Sequence, residues 1–431
     1  MLQFAHGRIQ SLTTDLLGTI YDVTTNFEPK AIRLYWVGLQ STATAANSQA
    51  VSERRGVGFI ANNGGTLTRS CVGTFSADNS GNADCGSIWS NTSCVITVDG
   101  TGAKDGAIDI DTVDALGFTL ILDDVLPANL TIFYEAWGGD EITNVTIGAI
   151  AEPAATGNQT YTATGFVTNP GSSQDQCVMF AGVQSVNATD VGQAQDSGMH
   201  VGFSTSTSTT NDITVCGNSD DGSATMDTDG YNITGECISM IVIAGGNPNA
   251  RARLTAYGTD QFTLNWTNRA TTNRRSIYMA IKGGQWQAGS VTIAGNTLNS
   301  TSTISALPFN IKGVSLIGNM TAQSTAGVSS VNDRISFGSG TSTTIRNSAG
   351  VFDENGTANS EINLSLYTTQ VLVYPSNAGA LQTAYDINAI GANQITFITD
   401  TAGGVTNEWI GYLVFGDKKV TAGTIGHPFI I

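Results

Sequence analysis

The 431-residue sequence has little charge and few of the residues that carry most enzyme chemistry. Charged residues make up 12% of the chain, which is about half the usual share. Histidine occurs three times, and none of the three has a serine–histidine–aspartate context. Nucleophile elbows, phosphate-binding loops and dinucleotide fingerprints are absent as well. The sequence therefore predicts a protein that is not an enzyme and that has no cofactor and no catalytic or metal-binding residues.

Long apolar runs are also missing. No segment reaches the roughly 18 uninterrupted apolar residues that indicate a membrane-spanning helix. The N-terminus, Met1–Arg8, has no basic region followed by an apolar core, so it does not resemble a secretory signal. We therefore expect the protein to be made and folded in a cytoplasm, with no membrane partner.

The charges that are present are mostly negative, and the formal net charge is −17. Nucleic-acid binding depends on lysine and arginine that neutralise phosphates, so this balance argues against a nucleic-acid partner. An acidic surface favours solubility and low non-specific adhesion. The alternative is that part of this surface docks onto a basic partner.

Glycine, serine, threonine and asparagine take the place of the missing charges, and hydrophobic residues still make up 40% of the chain. Those polar residues suit turns and strand surfaces, whereas long amphipathic helices need glutamate, lysine and arginine on their solvent faces. Segments such as Ser276–Ile281 and Phe262–Thr267 alternate between apolar and polar residues, which is typical of strands with one buried face. The sequence predicts an all-β protein.

One stretch of sequence occurs three times, at residues 118–137, 262–281 and 395–415. Each copy runs from a Phe/Thr-type strand to a strand that contains a tyrosine (Tyr134, Tyr278, Tyr412). A second landmark upstream repeats with the same two spacings as the tyrosines (Phe59, Phe203, Phe337). Equal offsets of two landmarks indicate an internal repeat, which decides the architecture.

The repeat predicts three tandem β-sandwich domains of jelly-roll-like or immunoglobulin-like type, each large enough to bury its own core. We expect the domains at residues 1–155, 156–300 and 301–431. In this interpretation each domain closes with a strand that follows the tyrosine strand (Val145–Ile150, Val291–Ala294, Val420–Ile425).

Two pairs of cysteines follow the repeat. Cys71 and Cys94 lie in the first repeat, and Cys216 and Cys237 lie at nearly matching places in the second, with nearly the same spacing. One hypothesis is a disulfide in each repeat, and closing a loop of this length stabilises a fold by roughly 3 kcal/mol. The other is that the cysteines are reduced core residues, which cytoplasmic synthesis favours. The sequence leaves both open.

Exposed tryptophans could stack on sugars or on a partner protein. Trp36 and Trp137 lie in alternating strands, which favours burial. Trp89 lies in the polar segment Gly86–Asn91 and is the predicted contact residue.

Four segments resemble a β-rich module that is repeated in virion structural proteins of tailed bacteriophages (Phe27–Ile32, Gly56–Phe59, Phe262–Thr267, Tyr278–Gly284). The resemblance covers most of each repeat, and the third repeat departs furthest because it has no cysteine. It implies a protein of the virion, made in the host cytoplasm, whose partners are the major capsid protein or other virion proteins.

The resemblance and the composition together lead to a non-enzymatic structural protein, with capsid decoration or cement as the first hypothesis. We expect a homo-oligomer, for which a trimer is plausible. A receptor- or glycan-binding head or tail fibre is the second hypothesis. A polysaccharide depolymerase is the third, but it needs two carboxylates facing each other in a cleft, and the sequence nominates no such pair.

Overall fold

A computed structural model describes residues 1–39, 44–49, 52–78, 84–168, 174–185, 188–222, 227–241, 248–269, 274–322, 332–356 and 361–419. Within these ranges the secondary structure consists of β-strands, apart from one short 3-10 turn at Thr209–Asn211. The strands pair in antiparallel fashion throughout the described sheets. The predicted all-β class is therefore confirmed.

The first repeat contributes strands β1 to β11. They are β1 Gln3–Ser11, β2 Ile20–Thr24, β3 Pro29–Val37, β4 Ala45–Gln49, β5 Glu53–Asn63, β6 Thr66–Ser76, β7 Cys85–Ser90, β8 Val95–Val98, β9 Lys104–Asp114, β10 Gly117–Asp124 and β11 Leu130–Gly138. A large sheet has the order β1-β11-β3-β5-β6-β7, and a small sheet has the order β2-β10-β9-β8.

The second repeat contributes strands β12 to β22. They are β12 Ile142–Ala151, β13 Gly157–Thr162, β14 Gln176–Val183, β15 Gln193–Ala194, β16 Met199–Ser204, β17 Asp212–Ser219, β18 Thr228–Thr234, β19 Ile238–Met240, β20 Ala250–Gly258, β21 Gln261–Asn268 and β22 Arg275–Gly283. The same arrangement recurs, with a large sheet β12-β22-β14-β16-β17-β18 and a small sheet β13-β21-β20-β19.

The third repeat contributes strands β23 to β32. They are β23 Gln285–Ile293, β24 Thr301–Ile304, β25 Phe309–Ala322, β26 Ser336–Gly340, β27 Arg346–Asp353, β28 Ile362–Tyr367, β29 Leu372–Pro375, β30 Leu381–Ile390, β31 Ile395–Thr401 and β32 Glu408–Lys418. Its large sheet is β23-β32-β25-β26-β27-β28, and its small sheet is β24-β31-β30-β29. The strand order is therefore the same in all three repeats.

The strands that follow Tyr134 and Tyr278 belong to the next sheet, which differs from the sequence-based assignment. Val145–Ile150 lies in β12 and pairs with β22, and Val291–Ala294 begins in β23, which pairs with β32. Hydrogen bonding thus passes to a new sheet just after residues 138 and 283, earlier than the boundaries expected at 155 and 300. The segment Val420–Ile425 lies outside the described residues.

A tyrosine–glycine pair explains how the first strand of each repeat (β1, β12 or β23) packs beside the strand that carries the repeated tyrosine. Each repeated tyrosine lies opposite a glycine on the neighbouring first strand (Gly7 with Tyr134, Gly148 with Tyr278, Gly289 with Tyr412). A Cβ atom added at any of the three glycines would lie within 3.0 Å of the phenol oxygen. Glycine is required because the phenol ring occupies the space above the strand. The three glycines are a repeat that the sequence analysis missed.

One face of each large sheet packs against the small sheet of the same repeat. In the first repeat Leu34 and Trp36 of β3 share a hydrophobic cluster with Leu120 of β10. The second and third repeats form corresponding clusters around Phe180 and Leu316. These three clusters are called the outer cores.

The opposite faces of the three large sheets meet in one hydrophobic cluster, called the central core. It contains the repeated phenylalanines Phe59, Phe203 and Phe337 together with many other buried side chains from every repeat, including Trp137 and Trp286. The central strands are therefore buried on both faces, which explains why β3 and β14 read as nearly continuous apolar runs.

The three large sheets also contact one another through short strands and loops at their edges. β4, from the loop after β3, pairs with β28 of the third repeat, and β15 of the second repeat pairs with β7 of the first. Most of the corresponding loop of the third repeat lies outside the described residues, but Thr321, near the end of β25, accepts a 2.5 Å hydrogen bond from Asn232 of β18. The contacts run from first to third, third to second and second to first repeat, so they close a ring.

Candidate functional sites

Side chains from all three repeats meet in a buried polar group at one border of the central core. Arg55 of β5 pairs with Glu53 on its own strand, with 2.5 Å between Arg55 Nε and Glu53 Oε1, and with Asp333 of the third repeat at 2.5 Å. Ser219 of the second repeat donates a 2.5 Å hydrogen bond to Asp353 Oδ2. These groups are completely buried, so we call them the junction cluster.

The junction cluster holds three carboxyl groups around a single guanidinium, so its charge depends on protonation. Burial raises the pKa of Glu53 to about 7, against the lowering effect of Arg55. Burial also raises the pKa of Asp353 well above its ordinary value. The neutral acids avoid part of the cost of burying unbalanced charge. The cluster therefore links side chains of all three repeats.

A second buried ion pair lies against the central core. Arg33 Nε lies 2.7 Å from Glu135 Oε2, and Ser315 of the third repeat donates a 2.6 Å hydrogen bond to Glu135 Oε1. The Arg33 guanidinium also lies 5.2 Å from the ring centre of Phe203 in the second repeat. One ion pair from the first repeat therefore contacts both other repeats.

Strand register shows that the other repeats lack this ion pair. Arg33 lies opposite Glu135. The corresponding positions hold Met179 opposite Met279 in the second repeat, and in the third repeat Ser315 lies opposite a leucine. The buried charges of Arg33 and Glu135 therefore have no counterpart at the equivalent positions of the other two repeats.

Trp89, the predicted contact residue, is not exposed. It lies in strand β7 rather than in a polar loop, and only 7% of its surface is accessible. Its ring faces the Arg275 guanidinium of the second repeat at 5.5 Å. The partner that covers Trp89 is thus another part of the same chain.

All six cysteines are buried and unpaired, so neither of the hypothesised disulfides is formed in the structure. Burial raises the pKa of every one of the thiols. Cys71 and Cys94 share the first outer core and both border Gly58. The structure therefore supports the description of these residues as reduced core side chains.

The second cysteine pair does not lie at the strand positions equivalent to those of the first pair. Gly58 lies opposite Cys71, whereas Gly202, its counterpart, lies opposite a threonine. Cys216 therefore occupies the place of Gly73 and lies 3.8 Å from a serine hydroxyl of β19, while Cys237 Sγ lies 3.6 Å from a backbone carbonyl of β20. The spacings of the two cysteine pairs nearly match in the sequence, but Cys216 lies further along its strand than Cys71 does.

A polar pocket of about 680 Å³ lies at the seam between the second and third repeats. The second and third repeats each supply one wall, and the side chains that line it are those of Thr209, Thr210, Asn211, Thr234, Gln287, Ser290 and Tyr412. This volume lies in the range of small-molecule sites, which is about 300–1,000 Å³. We call it the seam pocket.

An apolar patch lies on the outside of the first repeat. Leu16 and Leu17 are 77% and 66% exposed, and Ile20 and Val125 are also exposed. Backbone hydrogen bonds from Gly18 to Leu122 and from Leu122 to Thr19 hold this loop against strand β10. We call the four exposed side chains the leucine patch.

No family model matches this chain, and neither a curated protein nor a solved structure matches it. Among the described residues there is no helix long and apolar enough to cross a membrane. The same part of the chain contains no group of three or more histidine, cysteine or acidic side chains arranged to hold a metal ion.

Proposed function

We propose that the chain is a non-enzymatic structural protein of a virus particle, built from three β-sandwich units of the predicted jelly-roll-like or immunoglobulin-like type. Each large sheet and its small sheet would form one unit. The shared central core and the buried junction cluster favour a rigid body over three domains on flexible linkers. Such a body suits a scaffolding or cementing role in the virion, after synthesis in the host cytoplasm.

The observation that carries the proposal of capsid decoration is the leucine patch. Exposed leucines that lie singly are ordinary, but here two adjacent leucines are exposed next to Ile20, whose strand pairs with β10, which ends just before Val125, and clustered apolar exposure indicates an interaction surface. Four aspartates flank members of the patch along the chain (Asp15, Asp22, Asp123, Asp124). The patch therefore suits a partner with an apolar centre and a basic rim, which we propose to be the major capsid protein or another shell protein.

The test is rebinding of purified protein to particles from which it has been removed. Burying one leucine side chain contributes about 1.5–3 kcal/mol, so Leu16→Ser with Leu17→Ser should weaken binding by about 100-fold or more. The matched control is Val167→Ser with Val191→Ser, because these valines are 43% and 50% exposed in the second repeat. Equal binding by both double variants would argue against docking through the leucine patch.

A receptor- or glycan-binding head or tail fibre is the second candidate function, and the seam pocket favours it. The two candidates differ in their target. A decoration protein should bind bare particles, whereas a fibre should bind host cells. Binding of the isolated protein to cells but not to bare particles would favour the fibre and contradict decoration.

We propose that any homo-oligomer, including the predicted trimer, forms through outer surfaces. The three repeats of one chain already meet in the central core, so their inner faces are covered within the chain. Light scattering across a dilution series measures the mass, and circular dichroism at each dilution measures the folded fraction. An oligomer that dissociates into folded chains fits the proposal. An oligomer that dissociates only when the chains unfold would contradict it.

A further inference from the structure

The seam pocket has no charged side chain among the described residues that line it, although the chain carries a net charge of −17. An ion that entered the pocket would lose hydration without meeting an opposite charge, which is costly. The lining instead offers threonine and serine hydroxyls and the amides of Asn211 and Gln287. Each hydroxyl or amide can both donate and accept hydrogen bonds, so the pocket suits a neutral ligand that is rich in hydroxyl groups.

The edge of strand β23 adds backbone groups to the pocket. β23 is the outermost strand of the third large sheet. The outward-pointing amide of Trp286 donates to Gln174 O at 2.8 Å, and that of Ala288 donates to Thr205 Oγ1 at 2.9 Å. Because strand groups alternate with a period of two, the backbone of Ser290 points the same way, into the pocket that its residue lines.

This edge is too short for an added peptide strand. Strand addition needs a run of free edge groups, but the amides of Trp286 and Ala288 are already bonded within the chain. The edge backbone group that remains beside the pocket is that of Ser290, and a single such group suits a compact ligand. Tyr412 contributes a phenol group, which combines an apolar ring with a polar tip.

The equivalent positions of the other two repeats carry different side chains. The position of Ser290, directly after the glycine opposite the repeated tyrosine, is held by Arg8 in the first repeat and by Ala149 in the second. At the seam between the first and second repeats, the Asn63 side chain instead makes two hydrogen bonds with the backbone of Val145, at 2.6 and 3.1 Å.

We propose that the seam pocket is a binding site for a neutral carbohydrate, held by the hydroxyl and amide side chains, the backbone of Ser290 and the phenol of Tyr412. A monosaccharide should bind with a Kd on the order of 1 mM, and a longer glycan that extends along the seam should bind more tightly. This site is distinct from the leucine patch and does not depend on the proposed docking to a shell.

The experiment is saturation-transfer NMR on the full chain with the methyl glycosides of glucose, galactose, mannose and N-acetylglucosamine, followed by titration of any that bind. Sialic acid and inorganic sulfate serve as anionic probes. The test variant is Ser290→Arg, which introduces the residue found at the same position in the first repeat. Ala149→Arg is the matched control, because it places the same side chain at the equivalent position of the second repeat, away from the seam pocket.

We expect at least one neutral sugar to bind, Ser290→Arg to weaken that binding 10-fold or more, and Ala149→Arg to leave it unchanged. If Ser290→Arg does not fold, Gln287→Ala replaces it, since Ala5 stands at the same register in the first repeat. The proposal is overturned if none of the neutral sugars binds at about ten times the expected Kd, if only the anionic probes bind, or if neither pocket variant weakens binding.

Discussion

Arg33→Met should destabilise the protein strongly, although the second repeat has methionine at the same place. The substitution leaves Glu135 completely buried with the Ser315 hydroxyl as its one remaining hydrogen-bond partner among the described residues. Removing one member of a buried ion pair usually costs about 3–5 kcal/mol, because the other charge stays uncompensated. We expect a loss of that size in the free energy of unfolding at pH 7.

The double variant Arg33→Met with Glu135→Met copies the Met179–Met279 pair of the second repeat. Replacing a buried ion pair by apolar residues of similar size is often neutral or stabilising by about 1–4 kcal/mol. The Ser315 hydroxyl would lose its acceptor, which costs about 1–3 kcal/mol. These two effects nearly cancel, so the double variant should be close to the wild type in stability.

Urea unfolding followed by tryptophan fluorescence measures both variants. Lys312→Met is the control, because its 3.1 Å ion pair with Asp417 is partly exposed and such pairs contribute at most about 1 kcal/mol. The single variant should also become more stable as the pH falls, since burial raises the pKa of Glu135 and protonation removes the unpaired charge. If the double variant is as unstable as the single one, the burial of an unpaired charge is not the cause.

Two further predictions concern groups that titrate or react. Burial raises the folded-state pKa of Glu53 to about 7, above the value of about 4.3 in an unfolded chain. The contribution of Glu53 to stability should therefore be largest below about pH 4.3 and should fall by a few kcal/mol as the pH rises to about 7. Glu53→Gln should flatten this pH dependence and the exposed Asp22→Asn should not, whereas a flat wild-type profile would contradict the assignment. The native protein should not react with a thiol reagent, and the unfolded protein should titrate as six thiols because all six cysteines are buried and unpaired. Four or fewer thiols after unfolding would show that disulfides form, with Cys71–Cys94 as the first candidate.

The all-β class could be predicted from the sequence because it depends on local patterns. Alternating strands, frequent turn residues and the spacing of Tyr134, Tyr278 and Tyr412 are visible along the chain. The same tyrosines lie opposite glycines in equivalent strands of the structure. Periodicity identifies a strand, but it does not identify the strand's partner.

The differences between sequence and structure concern contacts between distant segments. The polar neighbours of Trp89 predict an exposed loop, but Arg275 of the next repeat covers its ring. The position of Val145–Ile150 after Tyr134 favours the first repeat, but its hydrogen bonds run to β22. The seam pocket could not be predicted for the same reason, since strands β19 to β22 separate its two walls along the chain.

Fusing three repeats into one chain changes the valency of the molecule. A homotrimer presents every surface feature three times, because its subunits are identical. Here the repeats differ, so among the described residues the patch around Leu16 and Leu17 lies in the first repeat and the pocket beside Ser290 lies between the second and third. The proposed shell contact and the proposed sugar site therefore lie in different repeats of one chain.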